Sequence, residues 1–296
     1  MLVRGIDPLL SPWFAFVVAL LFACETKASP SADAAPIKPR IVAVGSAVTE
    51  TLFALGAGED VVGVDTSSLY PEAATKLPQV GYQRMLAVEG ILALRPTLLL
   101  ATSDAGPPAA LDQLRSAGVR VEVLGAEPTV EGVKARIRRV ADVVGRDPST
   151  VLAQLDADLG RARLQREKAS SRPKVLVLYA RGANTLHVFG RATSAETMVD
   201  LAGGENAVTG FEGTRPLTPE ALAAAAPDVI VVPSRGLESV GGTDALLAIP
   251  GIATTPAAKT KRIVPIDDLL LLGFGPRTGK AAVELGAKLH PGLGAP

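Results

Sequence analysis

Residues 147–171 read DPSTVLAQLDADLGRARLQREKASS, and this stretch decides how the chain is organised. Asp147-Pro148-Ser149 is a helix start signal, because short oxygen-bearing side chains take up the unpaired N–H groups of a first turn. Val151, Leu152, Leu155, Leu159 and Ala162 then recur at helical spacing. Arg161, Arg163, Arg166 and Lys168 fill the later turns, where cations meet the negative end of the helix dipole. One long helix over 147–171 is therefore predicted. It separates two segments of similar grammar, 40–146 and 172–296, so the chain reads as two lobes joined by a helix. A helix is a stiffer connector than a coil, and it permits a small rocking motion while resisting a wide hinge.

Both flanking segments alternate short β-branched runs with helical patterns. In the first, Ile41–Val44, Val61–Val64, Thr97–Ala101 and Val119–Leu124 read as strands, with helices over Thr49–Leu55, Val88–Leu94 and Pro107–Ala117. In the second, Val175–Tyr179, Leu186–Phe189, Val229–Val232 and Arg262–Ile266 read as strands, with helices over Ala195–Leu201, Pro219–Ala226 and Pro276–Leu289. Such alternation implies an α/β fold with mostly parallel sheets covered by helices. An internal repeat makes the lobes similar. Glu50-Thr-Leu-Phe-Ala-Leu-Gly-Ala-Gly-Glu59 matches Glu196-Thr-Met-Val-Asp-Leu-Ala-Gly-Gly-Glu205 in phase, and Glu89-Gly-Ile-Leu-Ala-Leu-Arg-Pro96 matches Glu220-Ala-Leu-Ala-Ala-Ala-Ala-Pro227. Helix–Gly and helix–Pro–strand junctions look alike in many proteins, but two matches in the same order favour a duplicated lobe.

Composition narrows the function. Of 296 residues, 30 are Lys or Arg and 30 are Asp or Glu, so the basic excess needed for nucleic-acid binding is missing. One Cys and two His exclude an internal disulfide and a His-rich metal cage. The chain carries no phosphate-cradling GxxxxGK[ST], no GxGxxG after a strand, no GxSxG elbow and no HExxH. Nothing marks an enzyme. His290, near the C-terminus, reads as a solvated helix-end residue.

The N-terminus reads as an export signal, residues 1–23. Arg4 precedes an apolar run from Trp13 to Ala23, too short to span a bilayer, which needs about 20 residues, and right for a signal-peptide core. The run ends at Leu21-Phe22-Ala23-Cys24, which resembles a bacterial lipoprotein cleavage site with Cys24 as the lipidated residue. The other reading is a secreted protein cut near Ala32-Asp33-Ala34. The lipoprotein is favoured because Cys24 is the single Cys and closes the run. Residues 24–39, rich in Ser, Ala and Pro, form a flexible tether. The mature protein is expected in the periplasm, anchored to a membrane.

A specific resemblance lies in Val64–Ala101. Asp65-Thr66-Ser67-Ser68, Tyr70-Pro71, Leu77-Pro78-Gln79-Val80-Gly81-Tyr82-Gln83-Arg84 and Glu89-Gly90-Ile91-Leu92 resemble the substrate-binding proteins of bacterial haem ABC importers. Ala202-Gly203-Gly204-Glu205-Asn206-Ala207, Gly210-Phe211-Glu212-Gly213, Arg215-Pro216-Leu217-Thr218-Pro219-Glu220, Asp267-Asp268 and Leu272-Gly273-Phe274-Gly275 agree with it. The resemblance runs from about residue 40 to 290 and implies two α/β lobes joined by one long helix, with the ligand in the cleft between them.

The resemblance implies haem as transported ligand, with Tyr82 of the VGYxR segment as the iron ligand. The chemistry suits that role, since phenolate is a hard anionic donor that prefers Fe(III). Arg84 lies two residues on. In an extended loop it projects to the same side as Tyr82, where a cation favours the phenolate or pairs with a haem propionate. Some members of the family use a second-lobe His whose position falls on Arg181 here. His187 lies in Leu186-His187-Val188-Phe189, whose alternation puts His187 and Phe189 on one face; it either faces the cleft or is a satisfied strand histidine. Where many members carry a second Tyr, this chain has Thr214. Thr214 and Arg215 are candidate propionate contacts.

The resemblance also implies partners: an inner-membrane ABC permease with its ATPase and, upstream, an outer-membrane haem receptor system serving iron acquisition. Docking in related importers uses one acidic residue on each lobe. By motif these fall on Glu89 and, in the second lobe, on Glu196, with Asp200 one turn away; helix capping is the other role open to both acids. The competing reading is a cobalamin or ferric-siderophore binder of the same architecture, whose ligands call for aromatic walls or an arginine cluster instead of one phenolate.

Overall fold

The structure, a computed structural model, describes residues 38–293. The expected leader, Cys24 and most of the expected tether lie outside them. The described residues from 39 onward cluster as one compact unit.

In chain order the strands are β1 (Ile41–Val44), β2 (Val61–Val64), β3 (Gly81–Tyr82), β4 (Met85–Leu86), β5 (Leu98–Thr102), β6 (Arg120–Leu124), β7 (Lys174–Ala180), β8 (Leu186–Phe189), β9 (Glu205–Asn206), β10 (Thr214–Pro216), β11 (Val229–Pro233) and β12 (Ile263–Ile266). The first sheet is parallel in the order β2-β1-β5-β6. The second has a parallel body in the order β9-β7-β11-β12. Strand for strand the two orders are the same, and the helices Ser46–Ala54 and Ser194–Leu201 follow β1 and β8 at matching points. The repeat read in the sequence is thus a repeat of topology. The second sheet is extended by two antiparallel pairings, β7 with β8 and β8 with β10, so it is mixed.

Both sheets are covered on both faces, which is why their central strands read as unbroken apolar runs. Ile41 and Ala43 of β1 enter one core and Val42 and Val44 the other. Val175 and Val177 of β7 likewise face away from Leu176 and Leu178. This is the period-two alternation of a strand.

The predicted long helix is Ser149–Lys168, 20 residues, or about 30 Å of rise. The Asp147 carboxylate accepts from the Ser149 amide and hydroxyl at 2.9 and 2.6 Å, so the start signal works as read. Leu155 and Ala162 are buried in the second lobe's core, and Val151 packs against cores of both lobes. The C-terminal helix Thr278–Leu289 lies along it at close range. A Cβ on Gly279 would meet the Leu155 carbonyl at 2.9 Å, and one on Gly286 would meet the Gln165 side chain at 2.8 Å. Only glycine permits this approach.

The sequence reading passed over the helix Val130–Val144. Its Val133 and Ile137 enter the second lobe's core while Val140 and Ala141 enter the first lobe's. His290 also departs from expectation. It is 8% exposed, with Nε2 buried and without a hydrogen-bond partner, packed against Gly203. The C-terminal helix ends inside the lobe because Arg262 holds the Leu289 carbonyl at 2.7 Å.

Candidate functional site

A cavity of about 600 Å³ opens between the lobes, within the range of small-molecule sites. The first lobe contributes Gly45–Ala47, Gln83, Arg84, Thr102, Asp104 and Arg136, and the second contributes Phe189, Ala192–Ser194, Gly213, Thr214 and Leu272–Phe274. The repeat explains much of this. Ser46 and Ser194 begin equivalent helices, so two helix N-termini, each a partial positive charge, face the space from opposite sides.

The DTSS segment sets the first of these ends. Asp65 is buried and accepts from the Gly45 amide at 2.8 Å, the Ser67 amide at 2.9 Å and the Ser67 and Ser68 hydroxyls at 2.5 and 2.7 Å. Gly45 sits at φ +96°, and a Cβ there would meet Thr102 Oγ1 at 2.8 Å. The chain therefore leaves β1 tightly against the cavity wall.

Tyr82 and Arg84 lie on a hairpin. β3 and β4 pair Gly81 with Leu86 and Tyr82 with Met85, leaving Gln83-Arg84 as a two-residue turn. The extended-loop geometry expected for Arg84 does not hold, because a turn breaks the alternation that would align it with Tyr82. Arg84 instead lines the cavity, with Nη2 3.6 Å from an Asp104 carboxylate oxygen. Tyr82, on the preceding strand of the hairpin, is 43% exposed and lies outside the cavity lining. Gly81 makes the turn possible: φ is +95°, and a Cβ would meet the Met85 carbonyl at 2.8 Å.

In the second lobe, Thr214 on β10 pairs with Phe189 on β8, and both line the cavity. Arg215, pointing the other way along the strand, carries its guanidinium 4.6 Å from the centre of the Phe211 ring. Arg181 bonds to the Tyr179 hydroxyl at 2.7 Å. His187 lies mid-sheet opposite Tyr179 and Pro216, and its Nδ1 is buried without a partner. Of the residues singled out for ligand, Arg84 and Thr214 line the cavity and Tyr82 does not, while Arg181 and Arg215 are engaged with neighbouring rings.

The periplasmic binding protein family matches residues 41–269. The chain belongs to that family. This periplasmic binding protein is similar to the periplasmic heme-binding protein RhuT from Roseiflexus sp. RS-1, with 45% identity, 86% of this chain and 98% of that chain covered, and a TM-score of 0.83. It is also similar to the periplasmic heme-binding protein HutB of Vibrio cholerae, with 36% identity, 86% and 100% coverage and a TM-score of 0.76. A vitamin B12-binding protein of Pectobacterium atrosepticum is 30% identical over 174 residues, 57% of this chain. That match spans 62% of the Pectobacterium protein's length.

The acids read from the sequence as docking candidates differ in their surroundings. Glu89 is exposed in the first turn of the helix Val88–Ala93. Glu196 is not free in the same way: its carboxylate accepts from the Ala192 amide at 2.7 Å, and its own amide donates to Thr193 at 3.2 Å. This is a capping arrangement. Asp200 pairs with Arg172 at 2.6 Å and Arg166 at 3.3 Å. The topological partner of Glu89 is Glu220, exposed in the first turn of Pro219–Ala225, each helix leading into a central strand. The Glu89/Glu220 match within the repeat is the signal for it. Arg136, a cavity residue, was missed with its helix. Thr129, which caps that helix by accepting from the Gly132 amide at 3.0 Å, and Gly145, which ends it at φ +66°, were the readable signals.

Proposed function

We propose that this protein is the substrate-binding component of a haem importer, taking ferric haem in the inter-lobe cleft through the Tyr82 phenolate and delivering it to an inner-membrane ABC permease with its ATPase. The observation that carries this reading is the likeness, over nearly the whole of each neighbour's length, to proteins named as periplasmic heme-binding, joined to a hairpin that carries exposed Tyr82 two residues from the cavity-lining Arg84. Tyr82 supplies a hard oxygen to Fe(III). Arg84 and Thr214 meet propionate oxygens from opposite lobes, whereas Arg181, His187 and Arg215, which lie outside the cavity lining, would reach haem only by leaving their present neighbours. Glu89 and Glu220 are the pair offered to the permease. Glu196, the second-lobe acid expected from the sequence, keeps its carboxylate on its helix cap, and Glu220 is the better placed of the two.

We further propose that residues 40–146 and 172–296 act as the two lobes about the 147–171 connection, that the protein works in the periplasm, and that Cys24 carries the lipid that holds it there. An outer-membrane haem receptor is the natural upstream source. The second reading, a cobalamin binder, draws on the vitamin B12-binding relatives, which match just over half of this chain.

Titration with hemin, cyanocobalamin and a ferric siderophore tests the reading. A Soret band with ferric high-spin charge-transfer features, saturating with hemin alone, is the expected outcome. Tight cyanocobalamin binding with no Soret shift overturns the haem assignment in favour of the second reading.

A further inference from the structure

Arg136 projects from the Val130–Val144 helix to the wall of the cleft cavity, and it is only 4% exposed. Its Nη1 donates to the Gly125 carbonyl and its Nη2 to the Phe274 carbonyl, the latter at 2.7 Å. Both acceptors are neutral. Glu127 acts on the guanidinium's charge from a distance and forms no ion pair with it among the described residues. Arginine does not give up its proton in proteins, and buried charges are ordinarily paired. The other cross-lobe arginine, the half-buried Arg277, obeys that rule through the buried Glu50. Arg136 is a buried cation lining a ligand cavity with its charge unmatched.

The surrounding charge points the same way. The cavity's charged lining is Arg84 and Arg136 against the single carboxylate Asp104, and two helix N-termini add to the positive side. Such a space recruits an anion, and a guanidinium with unused N–H groups selects a carboxylate. We infer that Arg136 is a ligand-binding residue that pairs with a carboxylate of the bound molecule, which for haem is a propionate. This rests on the haem reading above and adds a binding residue to it.

The test separates carboxylate recognition from the tie between Gly125 and Phe274. Hemin and hemin dimethyl ester, which keeps ring and iron but caps both propionates, are titrated into the full-length protein and into Arg136→Gln and Arg136→Lys. Wild type is expected to prefer hemin. Arg136→Gln should weaken hemin binding on the order of tenfold and leave the ester unchanged, whereas Arg136→Lys should keep a preference through its point charge. Equal losses for both ligands, or an unchanged preference, overturn the inference. If Arg136→Gln fails to fold, Arg136→Lys decides: weakened hemin binding with the ester unchanged supports the inference, and hemin binding equal to wild type overturns it. Wild type that binds neither porphyrin overturns the haem reading together with the inference, whereas wild type that binds hemin and ester equally overturns the inference alone.

Discussion

Glu50 and Arg277, 227 residues apart in the chain, form a two-pronged ion pair between the lobes, with Nε–Oε2 at 2.9 Å and Nη2–Oε1 at 2.6 Å. The Arg277 guanidinium also lies 3.5 Å from the centre of the Tyr70 ring. Burial pushes the Glu50 carboxyl above its usual pKa, and the Arg277 hydrogen bonds pull back without cancelling it. Removing one partner leaves an uncompensated buried charge. Arg277→Ala is expected to cost about 3–5 kcal/mol in a urea melt, and Glu50→Gln in the same chain should restore part of that loss. Additive losses in the double variant would show that the pair carries no coupling.

Tyr82 is exposed and its hydroxyl takes part in no hydrogen bond among the described residues, so replacing it by Phe removes one oxygen and disturbs little packing. Tyr82→Phe should keep the wild-type melting temperature within about a degree, as surface changes usually do, and lose ferric coordination. The readout is the high-spin charge-transfer band in a hemin titration; an unchanged band removes Tyr82 from the iron.

His290 gives the fold a pH signature. Burial holds its pKa below the ordinary value against an opposing pull from the Gly203 backbone, and the charge of Arg262 adds a smaller lowering. The unfolded chain therefore takes up the proton first. The stability at stake is present above the ordinary value of about 6.5 and is lost as pH falls through it toward the depressed one. Thermal melts of wild type and His290→Leu between about pH 7.5 and 5 should diverge, with wild type losing more on acidification. Parallel curves would mean that His290 titrates alike in both states.

Docking is tested by charge reversal at the matched helices. Glu89→Arg with Glu220→Arg should leave hemin binding and the melting temperature intact and abolish growth on haem iron. First-turn acids contribute only about 0.3–1 kcal/mol to their helices, so lost growth cannot be blamed on unfolding. Growth equal to wild type removes both residues from the permease contact.

The close approach of the two long helices is tested at Gly279. A Cβ there meets Leu155 and Asp158 backbone and side-chain atoms at 2.6–2.9 Å, and backbone yields little. Gly279→Ala is expected to destabilise by about 1–3 kcal/mol in denaturant melts, where an ordinary helical Gly→Ala change stabilises.

What the sequence disclosed follows from how local each signal is. The central strands announced themselves because burial on both faces demands unbroken apolar runs, as at Ile41–Val44 and Val229–Pro233. The long helix was legible from Asp147 and its apolar spacing. Strands β3, β4, β9 and β10 are two or three residues long, shorter than any period can register, so the turn that aims Arg84 was out of reach. Glu50–Arg277 and Arg136–Phe274 depend on how the lobes meet, which no window along the chain contains. His290 misled because its position near the end suggests solvent, whereas Arg262 and Gly203 enclose it. The Glu89/Glu220 match was present in the repeat and acquired its meaning only once the equal strand orders were seen.

The Val130–Val144 helix bears on whether the protein can be divided. Its Val133 and Ile137 complete one lobe's interior and its Val140 and Ala141 the other's, so neither lobe owns a finished hydrophobic core. A fragment ending near residue 146 would present Val133 and Ile137 to water, and a fragment beginning near 147 would have a hole where they belong. The two halves share one strand order, yet they are not separable parts. Any exchange of one lobe for that of a relative has to carry this helix's partners with it, and the natural cut for swapping ligand preferences is the Gly81–Leu86 hairpin instead of the lobe.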